Sequence, residues 1–251
     1  MKQTKDNFSS LAQGYQKFRP DYPQELYDYL YSQCAAFDQA LDCGSGNGQV
    51  ARALSQQFTS VQATDISAAQ LEAAPQAKNI QYSVQRAEST NFTDASFDLI
   101  TVGQAYHWFD FEAFGKEAHR ILKPQGIVAI WSYHLLRISP EVDALIDHFY
   151  NEVVGPYWDE ERQWVDDRYR KVPFHFEDIE TDFEFIISKT FSLAELEGYM
   201  NTWSAVKHYT NQTGHSPVPE LMDKISSNWH QPTYEAHFPG FVRLGRKKQI
   251  L

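Results

Sequence analysis

A loop of alternating glycines that follows an acid is the clearest chemical feature of the chain. In residues 41–48 (LDCGSGNG), Asp42 ends an apolar segment and a glycine then occupies every second position. Because glycine lacks a Cβ, such a loop can bring its backbone close to a ligand. A second acid, Asp65, ends the next apolar segment, and a carboxylate at that separation can accept hydrogen bonds from the two hydroxyls of a ribose. The sequence therefore predicts a nucleoside-binding loop.

The glycine spacing discriminates between nucleoside ligands. A dinucleotide fingerprint has glycine at the first, third and sixth positions of its loop. Counting from Gly44, the sixth residue is Gln49. A nicotinamide cofactor is therefore disfavoured, and a glycine-rich turn with a purely structural role stays as the simpler alternative.

The segment at residues 104–109 (QAYHWF) is the second candidate for chemistry. It follows an apolar strand pattern, at the edge where open α/β sheets bind their ligands. His107 titrates near neutral pH and could remove a proton from a reacting group. Tyr106 and Trp108 offer ring faces that attract a cation, although Trp108 could equally pack in the core. We expect this segment to lie beside the reacting atoms.

Strand and helix signals alternate around both segments. Val50, Leu54 and Phe58 recur at helical spacing after the glycine loop. Strand patterns end at Asp42 and cover residues 61–65, 80–84, 97–102 and 126–133. This alternation predicts an α/β fold, namely a Rossmann-like, doubly wound sheet of seven strands, mostly parallel with an antiparallel C-terminal strand, plus a helical cap. We expect one domain over residues 1–251, with an N-terminal lid at about 1–23 and cap insertions at about 135–178 and 192–231. Aromatic and charged residues at 154–176 indicate a cap or lid segment, and Ser192 with Glu195 predicts a capping box for a helix that runs to about Ala205. Residues 234–248 suit the antiparallel strand, with a break at Pro239-Gly240.

Composition narrows the range of partners. The chain has 33 acidic and 22 basic residues and a net charge of −11, so it repels nucleic-acid backbones and anionic membrane surfaces. We expect neither as a partner. No apolar run approaches the roughly 18 residues of a membrane helix, and no secretory leader is visible. Cys34 and Cys43 are too few for a disulfide scaffold, which favours a cytoplasmic setting. Asp110 alone near the fourth strand does not predict a metal site.

Several motifs in sequence order resemble class I S-adenosylmethionine (SAM)-dependent methyltransferases of the type 11 small-molecule branch, which includes trans-aconitate methyltransferase-like proteins. The resemblance spans nearly the whole chain. Its motifs are FSSLAQGYQKFRPDYP at residues 8–23, the 42–48 loop, Asp65, Ala87-Glu88, AYHWFD at 105–110, LKPQG at 122–126, LEGYMNTWSA at 196–205 and FPGFVRLGRK at 238–247.

The resemblance implies SAM as cofactor and S-adenosylhomocysteine (SAH) as product. The glycines would shape the methionine and ribose cradle, Asp65 would hold the ribose hydroxyls, and Ala87 with Glu88 would contact the adenine. Tyr15 and Arg19 would fold over the SAM carboxylate, a role that suits the planar guanidinium. The implied cofactor-binding residues are Tyr15, Arg19, Asp42, Gly44, Ser45, Gly46, Gly48, Asp65, Ile66, Ala87, Glu88, Gln104 and Ala105.

The implied methyl acceptor is a small molecule that reacts through a carboxylate or hydroxyl oxygen. His107 is the candidate catalytic base, although an ionised carboxylate would need none. Arg137 or Lys207 could anchor an anionic acceptor. Candidate substrate-binding residues are Tyr106, Trp108, Trp131, Tyr133 and Trp203. Methylation of carbon or nitrogen and a catalytically silent SAM-fold binding protein stay as alternatives. The chain is expected to be a monomer or homodimer.

Overall fold

A computed structural model describes residues 18–247 and contains a single eight-stranded sheet with helices packed on both faces. The strands are β1 (Gln39–Cys43), β2 (Ser60–Asp65), β3 (Ile80–Val84), β4 (Phe97–Gly103), β5 (Leu122–Tyr133), β6 (Glu177–Ile179), β7 (Glu184–Phe191) and β8 (Tyr234–Arg246). The helices are α1 (Gln24–Ser32), α2 (Gln49–Leu54), α3 (Ala68–Glu72), α4 (Phe111–Ile121), α5 (Pro140–His148), α6 (Arg162–Asp166), α7 (Leu193–Met200), α8 (Ser204–Thr213) and α9 (Val218–Ser226).

The first five strands form the parallel half of the sheet. Their order is β3-β2-β1-β4-β5, and every neighbouring pair is parallel. The chain order therefore reverses between β1 and β4, and a crevice opens outside the carboxyl ends of the strands at such a switch point. This half confirms the predicted doubly wound sheet and brings the ends of β1, β2 and β4 to one edge.

The C-terminal strand β8 is antiparallel, as predicted. It pairs with β5 on one edge and with β7 and β6 on the other. The short strand β6 makes eight strands instead of the predicted seven. A predicted break at Pro239-Gly240 is wrong, because both residues lie within the continuous β7–β8 ladder. Gly240 is needed there for packing, since a Cβ would come within 2.3 Å of the Phe185 ring.

The sheet separates two apolar cores. Along β5, Ile127, Ala129 and Trp131 pack on one face, whereas Val128 and Ile130 pack on the other. This alternation follows from the two-residue period of a strand. Helices α5, α7, α8 and α9 contribute to the first core and lie over the same face as Trp131.

The cap contains the clearest error in a predicted helix boundary. Ser192 and Glu195 form the predicted capping box at the start of α7. The helix ends at Met200, however, and not near Ala205. Trp203 is extended and 3% exposed, because it leaves the helix to pack its ring against Tyr199 and Phe149.

The strap at residues 18–23 passes over the sheet edge before α1. Phe18 packs against Gly198, where a Cβ would be 2.5 Å from its ring. The Lys189 ammonium donates to the carbonyl oxygens of Phe18 and Arg19, at 3.2 and 3.3 Å. These residues are the described part of the predicted lid, and its first 17 residues lie outside the described range. Within residues 18–247, none of the helices is long and apolar enough to cross a membrane.

Candidate active site

A cleft of about 1130 Å³ opens at the carboxyl ends of β1, β2 and β4. The lining comes from the strap, the β1–α2 loop and the segments that follow β2, β3 and β4. The lining residues are Tyr22, Asp42, Gly44, Ser45, Gly46, Asn47, Gln49, Val50, Asp65, Ile66, Ser67, Gln70, Gln85, Ala87, Glu88, Gly103, Gln104, Ala105, Trp108 and Phe109.

The glycine loop has a backbone that side chains would disrupt. Gly44 has a φ of +67°, and a Cβ there would lie 2.6 Å from the Ala105 Cβ. Gly46 has a φ of +53°, and a Cβ on it would meet nothing within 4 Å, since this residue lines the open cleft. Positive φ values are strained for residues with a Cβ. The loop thus keeps the backbone bare where a ligand would lie.

Asp42 fixes the glycine loop through hydrogen bonds to the elements on either side of it. Its carboxylate accepts hydrogen bonds from the Ala51 amide in α2 at 3.2 Å and from the Thr101 hydroxyl in β4 at 3.0 Å. The residue is 1% exposed. Burial raises the pKa of Asp42 to about 7, with a smaller contribution from the charge of Asp65, although the hydrogen bonds oppose the shift. Asp42 therefore joins the loop, α2 and β4 through one buried carboxyl.

Asp65 ties the end of β2 to the same loop. One carboxylate oxygen accepts from the Gly46 amide and the other from the Ser67 amide, both at 2.9 Å. Each oxygen has a second lone pair that can accept from a ligand hydroxyl. Glu88 is the third acid of the lining, and it accepts from the Asp110 amide at 3.1 Å. None of the described lining residues is lysine or arginine, so the cleft suits a ligand with positive charge.

A second cavity of about 670 Å³ adjoins the cleft. The two share Gln104 and Trp108 as lining residues. We call the second one the acceptor cavity; its lining residues are Arg19, Gln104, His107, Trp108, Tyr133, His134, Leu135, Tyr150, Trp158, Asp159, Arg162, Tyr199, Trp203 and Ser204. Most of these come from β5 and the cap, so the two cavities are built by different parts of the chain.

Gln104 is held in an unusual conformation between the two cavities. Its φ is +54°, a value uncommon for a residue with a Cβ. Its amide donates to the Trp131 carbonyl at 3.0 Å, and its side-chain oxygen accepts from the Ser132 hydroxyl. Strain of this kind persists where surrounding contacts over-determine the backbone, and it clusters at functional sites. Both anchors of Gln104 lie on β5.

His107 lies on a short 3₁₀ turn, Tyr106–Trp108, after β4. It is 8% exposed and lines the acceptor cavity. Its Nδ1 is 2.9 Å from the hydroxyl of the buried Tyr169. Burial raises the pKa of Tyr169 well above its ordinary value, so the phenol is neutral at physiological pH. Tyr169 thereby orients the imidazole without adding a charge.

Two arginines give the acceptor cavity its positive charge. Arg19 donates to the Tyr133 hydroxyl at 3.0 Å and lies over the Tyr199 ring, 5.3 Å from its centroid. Arg162 donates to the Tyr150 hydroxyl at 2.9 Å. Burial by itself would lower the pKa of Arg162, but the nearby Tyr150 and Asp166 outweigh it and hold the pKa above its ordinary value. Both guanidinium groups therefore stay charged.

Most of the predicted cofactor-binding residues line the first cleft, at the carboxyl ends of β1, β2 and β4, which we call the cofactor cleft. They are Asp42, Gly44, Ser45, Gly46, Asp65, Ile66, Ala87, Glu88, Gln104 and Ala105. Arg19 lines the acceptor cavity instead. Gly48 is not in the lining, because it packs where a Cβ would meet the Tyr82 hydroxyl at 2.5 Å. Tyr15 lies outside the described residues.

The predicted acceptor residues divide into two groups. His107, Trp108, Tyr133 and Trp203 line the acceptor cavity. Tyr106 and Trp131 do not, because their side chains are used elsewhere. The Tyr106 hydroxyl donates to the Pro173 carbonyl, and the Trp131 indole fills the space beside Gly103. Among the anchors considered, Arg137 pairs with Asp147 at 2.8 Å, and neither it nor Lys207 belongs to the described lining.

Several residues at the two cavities were not singled out from the sequence. In the acceptor cavity they include Tyr150, Arg162 and Tyr199, and in the cleft Ser67 and Gln85. For Arg162 the available signal was the concentration of aromatic and charged residues between 154 and 176, which indicated a cap but not its inner face. The pattern of the cap cannot say which of these side chains point inward.

Comparison with known proteins defines the class. The family described as the methyltransferase domain matches residues 41–130. A methyltransferase-family protein from Dictyostelium discoideum is 31% identical over 97% of this chain and 95% of its own length. A solved methyltransferase structure from Anaeromyxobacter dehalogenans is 35% identical with a TM-score of 0.85, covering 92% of this chain and 98% of that one.

The fold is shared more widely. Phosphoethanolamine N-methyltransferase 2 from Haemonchus contortus, solved in complex with SAM, has a TM-score of 0.50 at 18% identity and covers 96% of this chain and 57% of that one. Fold, cleft and relatives together define a class I methyltransferase. The chain belongs to the SAM-dependent methyltransferase family, and SAM is its cofactor.

The cofactor cleft fits this molecule on its own geometry. Its backbone is bare at Gly46, its acids can accept hydrogen bonds from hydroxyl and amino groups, and its lining suits positive charge. SAM carries that charge on its sulfonium and ammonium groups.

Proposed function

We propose that the protein transfers the methyl group of SAM to an oxygen of a small molecule, either a hydroxyl or a carboxylate. The observation that carries this proposal is the meeting of two cavities at Gln104 and Trp108. A donor in the acidic cleft and an acceptor in the second cavity would face each other across these residues. Bringing two reactants into contact is the main catalytic contribution that such a reaction needs.

On the donor side, the cofactor supplies an electrophilic methyl group when it is bound. Asp65 would accept hydrogen bonds from the ribose hydroxyls, and Glu88 with the Ala87 backbone would hold the adenine. The ring faces of Trp108 and Phe109, which line the cleft, would stabilise positive charge on the sulfur.

On the acceptor side, His107 would serve as the base for a hydroxyl. Tyr169 holds its Nδ1, so Nε2 is the nitrogen that would take the proton. Nearly full burial of the imidazole keeps bulk water away from this step. A carboxylate acceptor is already ionised near neutral pH and would need positioning alone.

A small acceptor is supported by the residues that enclose the cavity, which come from the cap, the strap and the segment after β4. The net charge of −11 opposes nucleic-acid substrates. The free cysteines Cys34 and Cys43 support action in the cytoplasm, and we propose a monomer or homodimer as the active form.

The test is an acceptor screen with the purified chain and SAM, read out as SAH formation and as the mass of the product. Phenols, alcohols, carboxylic acids, amines and activated carbon acids form the panel. Oxygen acceptors should be methylated, and mild alkali should cleave the products of acids but not those of hydroxyls. Products methylated only on nitrogen or carbon would contradict the proposal. SAH binding without turnover across the panel would favour a silent binding protein.

A further inference from the structure

The acceptor cavity has an inner and an outer end. At the inner end, Gln104 and Trp108 also line the cofactor cleft. The outer end is formed by side chains that also line a groove on the protein surface, namely Tyr150, Trp158, Asp159 and Arg162. The cavity therefore extends from the cofactor towards the surface, and its outer end is remote from the methyl donor.

Arg162 has hydrogen-bonding capacity at that outer end. Its Nε donates to Tyr150 and lies 3.5 Å from Asp166. The guanidinium carbon lies 5.3 Å from the Trp158 ring centroid and 5.6 Å from that of Tyr150. The side chain is 21% exposed, and none of residues 18–247 accepts a hydrogen bond from its two terminal nitrogens. Those nitrogens form a planar fork whose geometry matches a carboxylate.

The surrounding charges select a single negative charge. Among residues 18–247, Arg19 and Arg162 line the cavity together with one acid, Asp159. Burial, with the charges of Arg168 and Arg162, lowers the pKa of His134, so this side chain is neutral near pH 7. A carboxylate would be attracted by the two guanidinium groups. Two guanidinium groups and one carboxylate leave one positive charge in excess in the described lining. A single carboxylate balances that charge, whereas the doubly charged form of a phosphate exceeds it and is repelled more strongly by Asp159 and the nearby Asp166.

We propose that Arg162 binds a carboxylate of the acceptor and that the acceptor is bifunctional, with this carboxylate at the outer end and the reacting oxygen at the inner end. The proposal rests on the oxygen methylation proposed above. Tyr133, Tyr199 and Trp203 line the same cavity and would pack against the apolar body of the molecule.

The reaction is balanced without a co-reactant. The acceptor oxygen forms a bond to the methyl carbon as the methyl–sulfur bond breaks, and the electron pair of that bond stays on sulfur. A reacting hydroxyl gives its proton to His107, whereas a second, reacting carboxylate has none to give. In both cases the carboxylate on Arg162 is unchanged, which makes Arg162 a specificity-determining residue.

The proposal can be tested by binding alone. Protein saturated with SAH is titrated with matched acid and amide pairs, 4-hydroxybenzoate against 4-hydroxybenzamide and adipate against its monoamide, and the fluorescence of Trp158 and Trp203 in the cavity reports binding. The acid should bind more tightly in at least one pair. Arg162→Gln should weaken acid binding about 10- to 100-fold, as expected for a lost charged hydrogen-bond pair, and leave amide binding within about twofold.

Two further variants keep the test interpretable. Arg162→Lys retains the charge but lacks the planar fork, so its acid affinity should lie between those of the wild type and Arg162→Gln. Arg137→Gln removes an arginine that pairs with Asp147 outside the cavity lining and should change nothing. Unaltered SAH affinity of Arg162→Gln shows that it is folded. Equal binding of acid and amide in every pair, or equal weakening of both by Arg162→Gln, would overturn the proposal.

Failure of this inference is distinguishable from failure of the proposed function. If neutral alcohols are methylated as well as acids and Arg162→Gln has no effect, oxygen methylation stands and the carboxylate subsite does not. If acids bind through Arg162 but no oxygen is methylated, the subsite stands and the proposed reaction does not.

Discussion

The cofactor cleft and the acceptor cavity meet at Gln104 and Trp108, yet they differ in origin and in charge. Strand ends and the loops after them form most of the cleft, whose charged residues are all acids in the part of the lining that the structure describes. The acceptor cavity is formed largely by β5 and the cap, and its described lining contains two arginines and one acid. The comparison shows how one chain can place acidic and basic surroundings next to each other, which suits the cationic cofactor and the carboxylate acceptor that we propose.

The largest expected effect is a loss of SAM binding in the cofactor cleft that leaves binding in the acceptor cavity nearly unchanged. Gly44→Ala places a Cβ 2.6 Å from Ala105 on a backbone with a φ of +67°. Strain and overpacking together should weaken SAM binding by about 30-fold or more, while the affinity of the acceptor cavity for an acid changes little. Calorimetric titration with SAM measures this effect.

Gly214→Ala is the matched control. Gly214 also has a positive φ, +82°, but a Cβ there would meet nothing within 4 Å and the residue ends α8 away from the cleft. This variant should lose about 1 kcal/mol of stability and keep its SAM affinity. Equal loss of SAM affinity in both variants would show that global strain, rather than the cleft, is responsible.

The next largest expected effect is a loss of turnover through the acceptor cavity that leaves SAM binding in the cofactor cleft nearly unchanged. If the acceptor reacts through a hydroxyl, His107→Ala should lower kcat about 100-fold or more, with SAM affinity within twofold of the wild type. If it reacts through a carboxylate, kcat should fall far less. Steady-state kinetics with both acceptor types, beside the exposed-surface control His215→Ala, measures the difference. An equal loss of kcat with hydroxyl and carboxylate acceptors would mean that His107 has a structural role.

A smaller effect concerns pH and the cofactor cleft alone. The ordinary pKa of Asp42 is 3.8 and its folded value is about 7, so between these values the folded protein retains a proton that the unfolded chain releases. The stability that this group contributes is therefore present at low pH and is lost as pH rises towards and through 7. The slope is about 1.4 kcal/mol per pH unit within that window.

Urea unfolding of the wild type and Asp42→Asn at pH 5, 6, 7 and 8 tests this directly. The wild type should lose stability relative to the variant as pH rises, and saturating SAM should flatten the difference by placing positive charge beside the carboxylate. A wild type that instead gains stability over the variant across this range would contradict the buried, protonated Asp42.

The smallest expected effect is a gain in the affinity of the acceptor cavity for an acid when a neighbouring negative charge is removed. Asp166 lies 3.5 Å from the Arg162 Nε and is half exposed. Because solvent screens such a pair, Asp166→Asn should raise acid affinity only about two- to threefold. The same fluorescence titration measures this gain. Weaker acid binding in Asp166→Asn would mean that Asp166 positions Arg162 instead of competing for it.

How much could be predicted from the sequence differs between the two cavities for a physical reason. The cleft depends on glycines and strand ends, which leave local signals. β3 spans the predicted residues, Asp65 ends β2 as predicted, and Asp42 lies one residue before the end of β1 on the same edge. Strand periodicity gives two faces, but both faces of β5 are buried here. The sequence could not decide whether Trp131 points into the core or into a cavity.

The cap leaves weaker signals still. Arg162 begins a helix of only five residues, and Tyr150 lies in a single irregular turn, Phe149–Val153. Segments this short have no periodicity from which an inner face can be predicted. Tyr150 packs against Trp203, and Arg162 lies over Trp158, which itself packs against Trp203. The contacts with Trp203 are long-range in sequence, so no local pattern encodes them.

The three acids of the cofactor cleft also bear on the end of the catalytic cycle. Once its methyl group has left, the sulfur of the cofactor is neutral, so the spent molecule carries one positive charge fewer than the fresh one. Asp65 and Glu88, together with Asp42 to the extent that it is ionised, thus hold the incoming form more strongly than the outgoing form. The same charges that favour loading the site also favour turnover, because they relieve inhibition by the by-product.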